Sequence, residues 1–113
     1  MKKIIIIVAV VVFVGFMIHS CAGQHYYLRG VYAYQKGDYE QAIVYLEKSK
    51  KISGVKFPSI YFYLGKSYQA IADNVSARRN YEETVKIIRS DESYLKEPTL
   101  QPQLREAEQY LGY

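Results

Sequence analysis

Shifted by 35 residues, the sequence falls into register with itself. Residues 23–56 laid over residues 58–91 bring Tyr26 onto Tyr61, Gly30 onto Gly65, Ala42 onto Ala77, Leu46 onto Tyr81 and Ile52 onto Ile87. Self-similarity at such a period marks stacked supersecondary units that bury their apolar faces on one another. Tyr39, Ala42, Ile43 and Leu46 recur at helical spacing, not in strand alternation, so the units are helical. A glycine inside a helix costs about 1 kcal/mol relative to alanine. Gly30 and Gly65 take that cost at one phase of both copies, which predicts close approach between paired helices. Ala42 and Ala77 are then the small residues on the opposing helices, and Tyr26, Tyr61, Tyr68 and Tyr81 fill the space between units with their hydroxyls near water.

Punctuation sets the helix limits. Gly37-Asp38 breaks the first unit, and Asp38 caps a helix to about residue 50 that Gly54 closes. Pro58 suits the first turn of the next helix, and Asp73 or Asn74 caps a fourth to about residue 88. A fifth runs over residues 102–111: Leu104, Ala107 and Leu111 form one stripe, while Gln103, Arg105, Glu106 and Gln109 face elsewhere. A polar outer face is what a capping helix needs.

The second copy reads Tyr61-x2-Leu64-Gly65-x2-Tyr68, then Ala77-x3-Tyr81, and resembles the tetratricopeptide repeat. The first copy keeps Tyr26, Gly30, the Gly37-Asp38-Tyr39 turn, Ala42 and Leu46, and departs at Arg29 and Ala33. Gly54 and Arg89 stand where the family's closing proline falls. The resemblance implies an all-α fold. Residues 22–91 would form two helix-turn-helix hairpins (23–56 and 58–91), and residues 92–113 a linker and the capping helix. In this family the first helix of each hairpin lines a binding groove. Carried over, the groove residues are Tyr27, Val31 and Tyr34 from the first copy, and Phe62, Tyr63, Lys66 and Gln69 from the second. Family members that grip a C-terminal carboxylate use Lys, Asn and Arg on this face. Tyr27, Val31, Phe62 and Lys66 stand at those places, so that clamp is missing and an aromatic, mildly cationic groove for an extended or helical peptide is expected. The competing expectation is that Tyr27, Tyr34 and Tyr63 pack on the cap or on one another.

Residues 1–21 are of another kind. Lys2 and Lys3 precede an uncharged apolar run over residues 4–18, and no charge follows until Arg29. A basic start followed by an apolar stretch is the pattern of an export signal or membrane anchor. The run of 15 residues falls short of the ~20 that span a bilayer, although counting on to Ala22 gives 19. Ile18-His19-Ser20-Cys21 resembles a bacterial lipobox, with His19 departing from its pattern, and implies lipidation of Cys21. Acylated Cys21 and an uncleaved transmembrane helix stay open as two forms of one anchor. Both leave Lys2 and Lys3 in the cytoplasm and the domain on the periplasmic or other extracytoplasmic face.

Little else in the chain points to chemistry. Cys21 is the only cysteine, so no internal disulfide forms, and Cys21 with His25 would supply two metal ligands where a closed zinc site needs four. No metal or other cofactor is expected. Glu82-Glu83, Asp91-Glu92 and Glu106/Glu108 read as solvated carboxylates, and Asn74-Val75-Ser76 as a helix start in place of a glycosylation sequon. Without Lys2 and Lys3 the net charge falls from +4 to +2, and the basic residues are scattered among acidic ones, which does not favour nucleic acid. The sequence therefore points away from an enzyme and towards a membrane-tethered scaffold or adaptor that binds a protein or peptide. The alternative is a structural subunit that stacks on itself or on a multi-subunit envelope assembly.

Overall fold

No proline stands among the first 57 residues. In the computed structural model, which describes residues 1–53 and 57–113 and at His19 and Ser20 the backbone alone, the chain opens with one unbroken helix, α1 (Lys2–Gln35). The expected change from anchor to first repeat helix is therefore not a structural boundary: Cys21 and Ala22 lie inside α1. Then follow α2 (Tyr39–Ser53), α3 (Pro58–Ala70), α4 (Asn74–Ser90), the short α5 (Glu92–Leu95) and α6 (Gln101–Leu111). The described residues form helices and turns and no strand. Gly54, expected to close the second helix, lies outside the described residues. Residues 92–95, read from sequence as linker, form α5 because Asp91 caps it, accepting hydrogen bonds from the Ser93 amide (2.9 Å) and hydroxyl (2.6 Å).

The large apolar residues of the run over residues 4–18 are 48–68 % exposed, and none of that stretch packs on the rest of the chain. This is a helix long and apolar enough to cross a membrane or to serve as an export signal. Its second half belongs to the folded domain, because the glycines there let α2 come close. A Cβ on Gly30 would lie 2.6 Å from Leu46 Cγ, and one on Gly23 2.9 Å from Ser53 Oγ. The Ser49 hydroxyl, fully buried, donates to the Gly23 carbonyl at 2.7 Å. The α3–α4 pair repeats the arrangement one period later: a Cβ on Gly65 would meet the Tyr81 ring at 2.9–3.1 Å.

The two interhelical turns also match at the same spacing. Gly37 takes a left-handed conformation (φ +82°), with the Asp38 amide donating to the Ala33 carbonyl at 2.9 Å. Thirty-five residues on, Ala72 takes the same conformation (φ +63°), with the Asp73 amide donating to the Tyr68 carbonyl at 2.9 Å. Asp38 and Asp73 then each accept from a backbone amide three residues on, Gln41 at 3.3 Å and Ser76 at 3.2 Å. Asp73 is thus the cap, and Asn74 the first helical residue.

Two apolar clusters share α3. Ala33, Ala42, Leu46, Ile60 and Leu64 form one; Phe62, Tyr81, Val85, Ile88, Leu104 and their neighbours form the other. Leu104, Ala107 and Leu111 are buried, so α6 covers α4 with the stripe expected of it, and it ends at Gly112 in the left-handed conformation (φ +84°).

Candidate protein-binding face

Helical spacing places Tyr27, Val31 and Tyr34 on one side of α1, and α3 brings Tyr63 against them. The Tyr63 ring lies edge-on to Tyr34 (centroids 5.6 Å apart) and to Tyr27 (6.3 Å), while Phe57 meets Tyr27 at 5.5 Å. All three tyrosines and Val31 are half-buried, so they pack on one another and still present surface. Burial raises the Tyr27 phenol above its ordinary pKa, keeping it neutral.

Two of the second-copy residues expected beside them, Phe62 and Lys66, are placed differently, and the reason is α6. Phe62 is only 5 % exposed and packs on Tyr81 (6.2 Å), so it belongs to the interior and not to an open groove. The ammonium of Lys66 is ion-paired with Glu106 and stands over the Tyr34 and Phe62 rings at 5.8 and 5.6 Å. Burial works to lower the Lys66 pKa, but the Glu106 hydrogen bond and nearby charge outweigh it and raise it, so the cation stays paired. Ser59 donates to Gln103 at 3.0 Å, a second tie between α3 and α6. Gln69 is exposed, and its side-chain oxygen accepts from the Tyr81 hydroxyl at 2.7 Å. What stays open is Tyr27, Val31, Tyr34, Tyr63 and the exposed Gln69, with the Lys66–Glu106 pair at one border.

Most repeat positions fall inside the helix pairs, where Gly30 faces Leu46 and Gly65 faces Tyr81. Ala42, Ala77, Leu64 and Tyr81 are fully buried. The half-buried Tyr68 sends its hydroxyl to Glu47 of α2 (3.1 Å), and burial together with that carboxylate lifts its pKa to about 12; burial lifts Tyr81 further. Tyr61 is half-buried under Lys50 (5.8 Å). Tyr26 faces the other way. It stacks on Tyr45 at 6.2 Å, with Arg29 over Tyr45 (5.8 Å) and Lys48 over Tyr26 (5.5 Å). This cationic-aromatic surface on the outer side of α1 and α2, continued by Lys36 over Tyr32 (4.5 Å), was missed from sequence. Part of the signal was present, since Tyr32 and Lys36 stand at the i, i+4 spacing that meets on a helix, whereas Arg29 over Tyr45 and Lys48 over Tyr26 are contacts between α1 and α2.

Cys21 is exposed on α1, one turn before His25, whose ring meets Tyr26 edge-on at 5.9 Å. Among the described residues no three His, Cys, Asp or Glu side chains gather at one point. The open face offers aromatic area with polar rims, which suits contact with another polypeptide. No family model matches the chain, and neither does any curated protein or solved structure.

Proposed function

We propose that this is a membrane-anchored scaffold of tetratricopeptide type that holds a protein or peptide partner on the extracytoplasmic side of a bacterial membrane. The observation that carries the proposal is the aromatic row Tyr27, Tyr34 and Tyr63, set on a domain that continues directly from an apolar helix. The tetratricopeptide kinship rests on the repeated geometry: Gly30 against Leu46 and Gly65 against Tyr81, with left-handed turns at Gly37 and Ala72, all one period apart. Tyrosine supplies large contact area with few torsions to freeze, which favours it at binding surfaces. The protein works by contact and not by catalysis, and it needs no cofactor.

A second reading, a subunit that stacks on copies of itself, draws on the outer side of α1. Tyr32 is 57 % exposed there, and among the described residues no further helix pair lies over the Tyr26–Tyr45 stack beside it. Site-specific photocrosslinkers at Tyr34 and Tyr32, activated in intact membranes, separate the two. The scaffold reading expects a single heterologous adduct from position 34. Adducts of twice the chain mass from position 32, with none from 34, would establish self-stacking instead.

A further inference from the structure

We infer that the end of the domain formed by the close of α2 and the start of α3 lies in the headgroup layer of the bilayer, with Phe57 as its interfacial aromatic. The inference rests on the proposed membrane anchorage and adds to it where the folded domain sits.

The reasoning is one of length along an unbroken helix. A hydrocarbon core of ~30 Å takes about 20 residues at 1.5 Å each. Counted from Ile4, just after Lys2 and Lys3, that length ends at Gly23. Gly23 is buried against α2, a Cβ there falling 2.9 Å from Ser53 Oγ, so the last turn of α2 reaches the boundary of the hydrocarbon. The next turn of α1 carries Tyr27 and Leu28, roughly 6–8 Å further out, within the ~5–8 Å depth of a headgroup layer. Charge tells the same story: the chain is free of charge from residue 4 to residue 28, and the first cation after that stretch, Arg29, falls where that layer ends. Processing at Cys21 would remove the helix counted here but would still hold Gly23 near the bilayer, since the acyl chains would enter it two residues before Gly23.

The surface at this level is suited to that layer. A cleft of about 500 Å³ opens between Tyr27, Leu28, Ser53 and Phe57. Leu28 is 58 % exposed and Phe57 49 % exposed, apolar side chains that water would not favour but an interface accepts. Aromatic residues concentrate at the depth where headgroups meet acyl chains. Leu95 of α5 is 42 % exposed beside Tyr94, which lines a second cleft with Phe57 and Glu97, so the same end carries further apolar surface bordered by the exposed Glu92–Lys96 ion pair, a mixture that a headgroup layer accommodates. α3 then leads away for about 20 Å, which puts the α3–α4 turn and Val75 well outside the layer.

The chain has no tryptophan, so single substitutions report cleanly. Phe57→Trp and Val75→Trp, both at exposed positions, are placed in the full chain and reconstituted into phosphatidylcholine vesicles, with Leu28→Trp as a second probe of the same end. Flotation with the vesicles is measured on every sample. The inference expects blue-shifted emission from Phe57→Trp or Leu28→Trp, quenched several-fold more by lipid spin-labelled near the headgroup than by aqueous acrylamide, and the reverse preference from Val75→Trp. Floating protein in which positions 57 and 28 behave like position 75 overturns the inference while leaving the anchorage standing. Protein that does not float overturns the anchorage, and the inference with it.

Discussion

Gly65→Ala sets two opposed effects on one methyl group. Helix propensity favours the change by about 1 kcal/mol. Packing opposes it, because the new Cβ would stand 2.9, 3.0 and 3.1 Å from three atoms of the Tyr81 ring. A flexible side chain would move aside. Tyr81 has no exposed surface, lies between Phe62 (6.2 Å) and Tyr110 (4.7 Å), and is tied through its hydroxyl to Gln69. Overpacking a site that cannot yield costs roughly 1–3 kcal/mol, so the net change is a loss of up to about 2 kcal/mol, and Gly65→Leu loses more. A urea melt of the full chain in mild detergent, followed by far-ultraviolet circular dichroism, measures it. Repeating Gly65→Ala in a Tyr81→Leu background removes the ring; there the substitution should become neutral or stabilising as propensity acts unopposed. Stabilisation by about 1 kcal/mol in both backgrounds would refute the close-approach reasoning, since only propensity would then be at work.

Three further outcomes are expected. Ala72 holds a left-handed conformation that disfavours a Cβ by roughly 1–2 kcal/mol, so Ala72→Gly should raise the urea midpoint and Gly37→Ala, at the matching turn, should lower it. Tyr68 is held neutral up to about 12 against an ordinary value of 10.0, so its contribution is fully present below pH 10 and fades as pH rises towards 12; a pH titration of the melt should show that loss, and Tyr68→Phe should diminish it. Intact mass of the membrane-extracted protein separates the two anchors: an acylated chain starting at Cys21 labels with a palmitate analogue and loses the label in Cys21→Ser, whereas a spanning α1 gives the full-length mass and no label in either.

The parts of the fold legible in the sequence are those fixed by local rules. Asp38 and Asp73 act as caps because a carboxylate at that position can take a backbone amide, and Pro58 opens α3 because its ring already has a helical φ. The stripe on residues 102–111 was legible for the same reason, its period being that of a helix. The continuity of α1 was not legible. Composition changes at Cys21-Ala22-Gly23, and a change of solvent there looks like a change of element, but nothing in those residues stops a helix. Gly23 marked only the start of the first copy, yet it is a second contact glycine, two turns before Gly30 on the face that α2 covers. Ala72 was hidden for the opposite reason: its left-handed turn lacks the glycine that announces one, and only the 35-residue register with Gly37 reveals it. Of the expected groove, Tyr27, Val31, Tyr34, Tyr63 and Gln69 keep surface, but Phe62 and Lys66 depend on where α6 docks, a tertiary contact that no local pattern encodes.

An unbroken α1 also gives the domain a compass heading. A flexible tether would let the domain turn freely above its anchor, whereas a helix transmits rotation, each residue advancing it by about 100°. On the proposed anchorage, the side of the membrane helix on which Tyr34 and Tyr63 look out is therefore set by the number of residues before Gly23. Deleting one residue from the stretch 19–22 would swing that face about a quarter-turn in the membrane plane while lowering it by only about 1.5 Å. Adding seven residues would nearly restore the heading and raise the face by about 10 Å. A partner that is itself fixed in the membrane would register the first change as a loss of alignment and the second as a loss of reach.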